Sequence, residues 1–122
     1  MLAEPRVLAF AREWTPAELP RADLRAIRAA LRGLGAELVV IADSGVWSFR
    51  PDDDLDELAG PFEYSDRLAG DVALAALMYA VRGSGDAVFV LDAHGTIRFA
   101  HREPQVGPHL AEAVAAAAEA VH

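Results

Sequence analysis

Three short runs of the chain are almost wholly apolar: 7–11 (VLAFA), Glu37–Ala42 (ELVVIA) and 87–91 (AVFVL). Runs of this length, rich in Val, Leu, Ile and Phe, fit strands covered on both faces, so all three are expected inside a sheet. Segment 96–101 (TIRFAH) instead alternates apolar and polar residues, the pattern of a strand with one solvated side. Asp92-Ala93-His94-Gly95 reads as a tight turn with glycine at its closing position, so 87–91 and 96–101 are expected to form an antiparallel hairpin.

Between the strands the period changes to that of a helix. Leu24, Ile27, Leu31 and Leu34 recur at 3-4-3 spacing, and Arg21, Arg25, Arg28 and Arg32 recur at 4-3-4 spacing on the other side. Thr15-Pro16 offers an N-cap followed by proline at the first helical position, and Glu18 completes a capping box. The helix is therefore expected to start at Pro16, with a kink or a loose first turn at Pro20, and to stop at Gly33 and Gly35. The connection to Glu37–Ala42 has about the length of a right-handed crossover, so the first two strands should pair in parallel.

Segment 67–82, capped by Ser65 or Asp66, is apolar around most of its circumference (Leu68, Val72, Leu74, Leu77, Met78, Tyr79, Val81). Such a helix either lies deep in the domain or uses one face for a partner subunit. Segment 105–122 closes the chain as an Ala-rich helix with Val106, Leu110, Val114 and Val121 on one face. Segment 43–61 carries no clear period: Trp47 and Phe49 alternate with polar residues, and the acidic run from Asp52 to Glu57 fits a solvated face with a short helix at 55–59. A calcium loop would need glycine at the sixth ligand position, which this run lacks.

The resulting order, β-α-β-(short α)-α-β-β-α, implies one α/β domain over residues 1–122 with a thioredoxin-like fold: β-α-β-α-β-β-α, a central mixed sheet flanked by helices. A flavodoxin-like doubly wound sheet would need a helix between each later pair of strands, and the hairpin at 87–101 decides against it.

Composition narrows the chemistry. At 122 residues the chain can bury roughly two-thirds of its unfolded surface without staples. It has no cysteine, which excludes disulfides, thiolate metal sites and thiol redox chemistry together. A formal charge of −8 and a pI near 4.8 oppose binding to nucleic acid and to anionic membrane surfaces. No apolar run reaches membrane-spanning length, and Glu4, Pro5 and Arg6 fall where a signal peptide would be apolar, so a cytoplasmic protein is expected. The four histidines are scattered, so neither a metal site nor a cofactor is expected.

With these residues in place, the chain resembles the peroxiredoxin branch of the thioredoxin-like superfamily, the alkyl hydroperoxide reductase and thiol-specific antioxidant group. Thr15-Pro16-Ala17-Glu18-Leu19 is similar to that family's Cys-Pro-Thr-Glu-Leu segment, and Asp43-Ser44 to its Asp-Ser after the second strand. Ser65-Asp66 and Tyr79-Ala80-Val81 resemble its Ser-Asp and Tyr-Gly-Val. Phe89-Val90-Leu91-Asp92 with Gly95-Thr96-Ile97-Arg98 resembles its strand, turn and strand, and Val106-Gly107 the Val-Gly before its last helix. The likeness spans roughly residues 6 to 121, and the order and spacing of the motifs carry it.

The resemblance places the family's active-site positions on Thr15 (its peroxidatic Cys), Arg12 (its Thr) and Asp86 (its catalytic Arg). Peroxide reduction in that family needs a thiolate, which threonine cannot supply. A hydroxyl becomes a nucleophile only beside an oriented base. The topology brings Arg12, Trp14, Pro16, Glu18, Asp86, His101 and Arg102 to the rim around Thr15, with His101 as candidate base and Asp86 as its orienting group. The competing expectation is that Thr15 only caps the helix, worth on the order of 1 kcal/mol, and that Asp86 pairs with Arg12 or Arg102. The sequence thus implies a cysteine-free domain without thiol redox activity, acting as a binding or assembly module. It is expected to form a homodimer through helix 67–82 or a sheet edge, or to bind a protein partner. The alternative is an enzyme or small-molecule binder using a non-thiol site around Thr15.

Overall fold

The first apolar run forms β1 (Arg6–Phe10), at the centre of a five-stranded mixed sheet in a computed structural model that describes residues 5–11, 13–15, 19–42, 45–53 and 85–121. After β1 come α1 (Arg21–Leu34), β2 (Glu37–Ala42), β3 (Gly45–Phe49), β4 (Asp86–Leu91), β5 (Ile97–Glu103), a 3₁₀ turn (Gly107–His109) and α2 (Leu110–Val121). The strand order is β3-β2-β1-β4-β5. β1 runs parallel to β2, with Arg6 opposite Glu37, and antiparallel to β4, with Phe10 opposite Ala87. β3 and β5 are the edges, each antiparallel to its neighbour. The expected hairpin is present, and the structure is an α/β arrangement on a mixed sheet.

Period-2 alternation divides the sheet into two apolar faces. On the first, Val7, Ala9, Leu38, Val40, Trp47, Phe49, Val88 and Val90 pack with Leu24, Ile27 and Leu31 of α1 and with Leu110, Val114 and Ala117 of α2. On the second, Leu8, Phe10, Val39, Ile41, Ala87, Phe89 and Leu91 form a separate buried cluster, with the Phe10 and Phe89 rings edge to face. Both described helices therefore lie on the same face of the sheet. Helix 67–82, its proposed cap and the short helix at 55–59 lie outside the described residues.

Several expectations are corrected. α1 begins at Arg21, not Pro16, so Thr15 is not its N-cap and Pro20 does not kink it. Pro20 is itself the N-cap residue; its extended backbone presents its carbonyl to the N–H groups of Asp23 (3.0 Å) and Leu24 (3.1 Å), with no side-chain cap. A proline at the boundary costs no helical N–H, whereas one a turn inside would, and that difference selects the later start. Second, β3 was hidden by a five-residue length and by polar neighbours, yet Trp47 and Phe49 are its inward positions. Third, the last helix starts at Leu110, because Val106 leads into a separate 3₁₀ turn that carries Pro108. Of the two expected stops, Gly33 lies inside α1 and only Gly35 ends it: its φ of 64° is left-handed, and its N–H donates to the Arg32 carbonyl.

Candidate functional site

The rim at the carboxyl end of β1 is built by three pieces of chain. Ala11 continues the sheet through its N–H, which donates to the Ile41 carbonyl (3.0 Å). Trp14 then turns inward and is buried, its ring 5.3 Å from that of Trp47, which in turn stacks on Phe49 at 5.9 Å. Gly107 closes over this indole; a Cβ there would stand 3.3 Å from Trp14 Cδ1. The third piece enters β4 at Gly85, whose φ of +85° and 3.1 Å spacing from the Glu103 carbonyl to a hypothetical Cβ both require glycine.

Asp86 is 6% exposed, and its Oδ2 accepts a hydrogen bond from the Val106 N–H at 2.9 Å. This carboxylate anchors the loop between β5 and the 3₁₀ turn by satisfying a buried N–H that no strand or helix pairs. Around it a recess of about 290 Å³ is lined by Ala11, Glu13, Gly85, Asp86, Pro104, Gln105, Gly107 and Pro108. Such a volume is at the small end of ligand sites.

The residues expected at the rim separate. Asp86 lines the recess; Trp14 is part of the core beneath it, a packing role. Thr15 is exposed and does not line the recess. Arg102 lies opposite Ala87 on β5 and is exposed. Arg12, Pro16 and Glu18 lie outside the described residues. His101 pairs with Val88, stacks near Phe99 (ring centroids 6.4 Å apart) and holds its Nε2 3.8 Å from Glu103 Oε1. It lines a second concavity of about 350 Å³, between β5 and α2, together with Phe99, Glu103, His109, Glu112, Ala113 and others. The candidate base and its candidate orienting group thus line different cavities. Among the described residues, no group of three or more His, Asp or Glu side chains is disposed to hold a metal ion, and no helix is long and apolar enough to cross a membrane.

Sequence reasoning missed two features. Glu13, Gly85 and the Pro104–Pro108 stretch form most of the recess; the two prolines and two glycines bracketing it were the only signal. At the opposite rim, Glu37 is 2% exposed and holds Oε1 3.3 Å from Arg6 Nε and Oε2 3.0 Å from Arg50 Nε, joining the ends of three strands. Beside it, Arg50 and Asp53 close a turn on each other, and Arg28 Nη2 donates to the Asp53 carbonyl at 2.7 Å, so the start of the acidic run is tied to α1. The β4–β5 turn is on this rim too: the Asp92 carboxyl is held below its ordinary value chiefly by the Thr96 N–H, then by the His94 N–H, with charges on His94 and Arg98 adding to them.

Comparison with protein-family models, with curated proteins and with solved structures finds no match. The likeness to peroxiredoxins therefore rests on the motifs quoted above.

Proposed function

We propose that this chain is a cysteine-free, thioredoxin-like domain that works in the cytoplasm as a binding or assembly module, without thiol redox activity. The observation that carries the reading is the joint presence of the strand order and the missing thiol. A central β1 sits between a parallel β2 and an antiparallel β4, an outer β5 returns in a hairpin, and both described helices share one face. At the position the family resemblance assigns to the peroxidatic sulfur stands an exposed threonine. A threonine hydroxyl cannot be oxidised by peroxide as a thiolate is in forming sulfenic acid, and the imidazole of His101, the candidate base for any other hydroxyl chemistry, lines the other cavity. The test is hydroperoxide consumption with dithiothreitol as reductant: the expected rate equals the protein-free blank, and sustained turnover overturns the reading. Self-association through residues 67–82 is the assembly arm, read as a concentration-dependent dimer in analytical ultracentrifugation.

The recess favours a second reading, a small-molecule binder. Two carboxylates, Glu13 and Asp86, line about 290 Å³ of otherwise Gly- and Pro-walled space. Asp86 is committed to the Val106 N–H, which leaves Glu13 as the group that would meet a ligand. A fragment screen by amide NMR with small guanidinium compounds tests it: shifts at Gly85, Gln105 and Gly107 that vanish in Glu13→Gln support this reading, and shifts elsewhere or none reject it.

A further inference from the structure

β5 is the outer edge of the sheet, in regular register with β4 from Phe99 to Glu103 and irregular between Ile97 and Phe99; among the described residues no strand pairs with its far side, and Ile97 is 48% exposed. An exposed edge presents unpaired backbone groups that can template an added strand. Alternation assigns its side chains. Phe99, His101 and Glu103 oppose Val90, Val88 and Asp86 on the face that carries α2, whereas Ala100 and Arg102 oppose Phe89 and Ala87 on the other face.

Directly beside this edge, on the α2 face, lies the concavity of about 350 Å³ described above. Its floor is apolar, from Phe99, Ala113 and Ala116, and its polar groups are two carboxylates and two imidazoles. Each imidazole is near a carboxylate: His101 Nε2 is 3.8 Å from Glu103 Oε1, and His109 Nδ1 is 3.9 Å from Glu112 Oε2. The notch thus sets the carboxylates of Glu103 and Glu112 beside the ring of Phe99, which suits a long cationic side chain with an aliphatic stem.

We infer that β5 takes up an extended segment of a partner protein as a sixth strand, with a Lys or Arg of that segment seated in the notch between β5 and α2. Main-chain pairing supplies the affinity and the notch the selectivity, as in other cases of strand addition. A second copy of this chain is the poorer occupant. Directly opposed side chains in an antiparallel pair lie on the same face, so a second β5 would bring its own Phe99, His101 and Glu103 to the notch. It would set carboxylate against carboxylate and deliver no lysine or arginine. The net charge of −8 likewise favours a basic segment over another copy. This inference concerns the sheet edge and stands or falls separately from the recess and from the absence of peroxidase activity.

The experiment uses the full chain and a fluorescein-labelled nine-residue peptide of alternating threonine and valine with one central lysine. Controls are the same peptide with central glutamate, the same peptide N-methylated at alternate backbone amides, and n-butylammonium alone. The expected result is saturable anisotropy with the lysine peptide, with amide NMR shifts along 97–103. Binding should weaken at least tenfold in the Glu103→Gln, Glu112→Gln double variant and in the central-glutamate peptide, and be lost on N-methylation. Glu112 is on the exposed face of α2, and the single Glu112→Gln variant, with an unchanged melting curve, should already weaken binding severalfold. No binding at millimolar peptide overturns the inference. So does equal binding of the N-methylated peptide, competition by n-butylammonium at the same concentration, or protection of 97–103 by a second copy.

Discussion

Asp86 shows how a polar residue at the edge of a strand becomes structural. Its Oδ2 accepts from the Val106 N–H at 2.9 Å and the residue is 6% exposed, so the carboxylate holds the loop after β5 to the start of β4. Asp86→Ala leaves that N–H unsatisfied and should cost about 1–3 kcal/mol, read as a lower urea midpoint with unchanged slope. Asp92 is the contrasting case, exposed and held by the N–H groups of Thr96 and His94. Its folded carboxyl titrates below the ordinary value of 3.8. Its contribution is therefore complete above the unfolded value and is lost as pH falls through the folded one. Carboxyl ¹³C NMR should show a midpoint below 3.8 in the folded protein, moving up in Thr96→Pro, which lacks the N–H.

At the scale of the element, β1, β2, β4 and β5 are legible in the sequence, whereas β3 and the starts of the two described helices are not. Continuous apolar runs fixed β1, β2 and β4, and Asp92 with Gly95 fixed the hairpin, because burial on both faces and turn chemistry are local properties. The start of α1 is not legible because Thr15-Pro16-Ala17-Glu18 satisfies every capping rule, while Pro20 a few residues later has the better claim: having no N–H, it would leave a helical carbonyl without its donor if it lay in the interior. Pro20→Asp should supply the missing side-chain cap and stabilise the protein by about 0.5–1 kcal/mol, whereas Thr15→Val should change the unfolding free energy by less than about 0.5 kcal/mol. Both are measured by chemical denaturation. β3 escaped notice because a five-residue edge strand shows only two apolar alternations, Trp47 and Phe49. At the candidate site, Asp86 was legible from topology. Glu13 and the separation of His101 from Asp86 were not, since which side of a β-hairpin a cavity opens on depends on where α2 packs.

Across the whole molecule, the two rims of the sheet differ in character. One is a recess walled by glycine and proline; the other is closed by Glu37 between Arg6 and Arg50, which binds β1, β2 and the end of β3 at their start. Glu37→Gln removes the charge but keeps the shape, and should lower stability by about 1.5–3 kcal/mol, as for hydrogen bonds to a charged group, with a smaller loss in high salt because both arginines reach solvent. Thermal melts at low and high ionic strength check both parts.

The indole pair beneath the recess has an optical consequence. The chain contains two tryptophans, and both are in this one contact, ring centres 5.3 Å apart. Their transitions must couple, so the near-ultraviolet circular dichroism and the emission of the whole protein report on a single spot. Because Gly107 rests on Trp14, anything that enters the neighbouring cavity or lifts the loop announces itself as a colour shift, with no label attached.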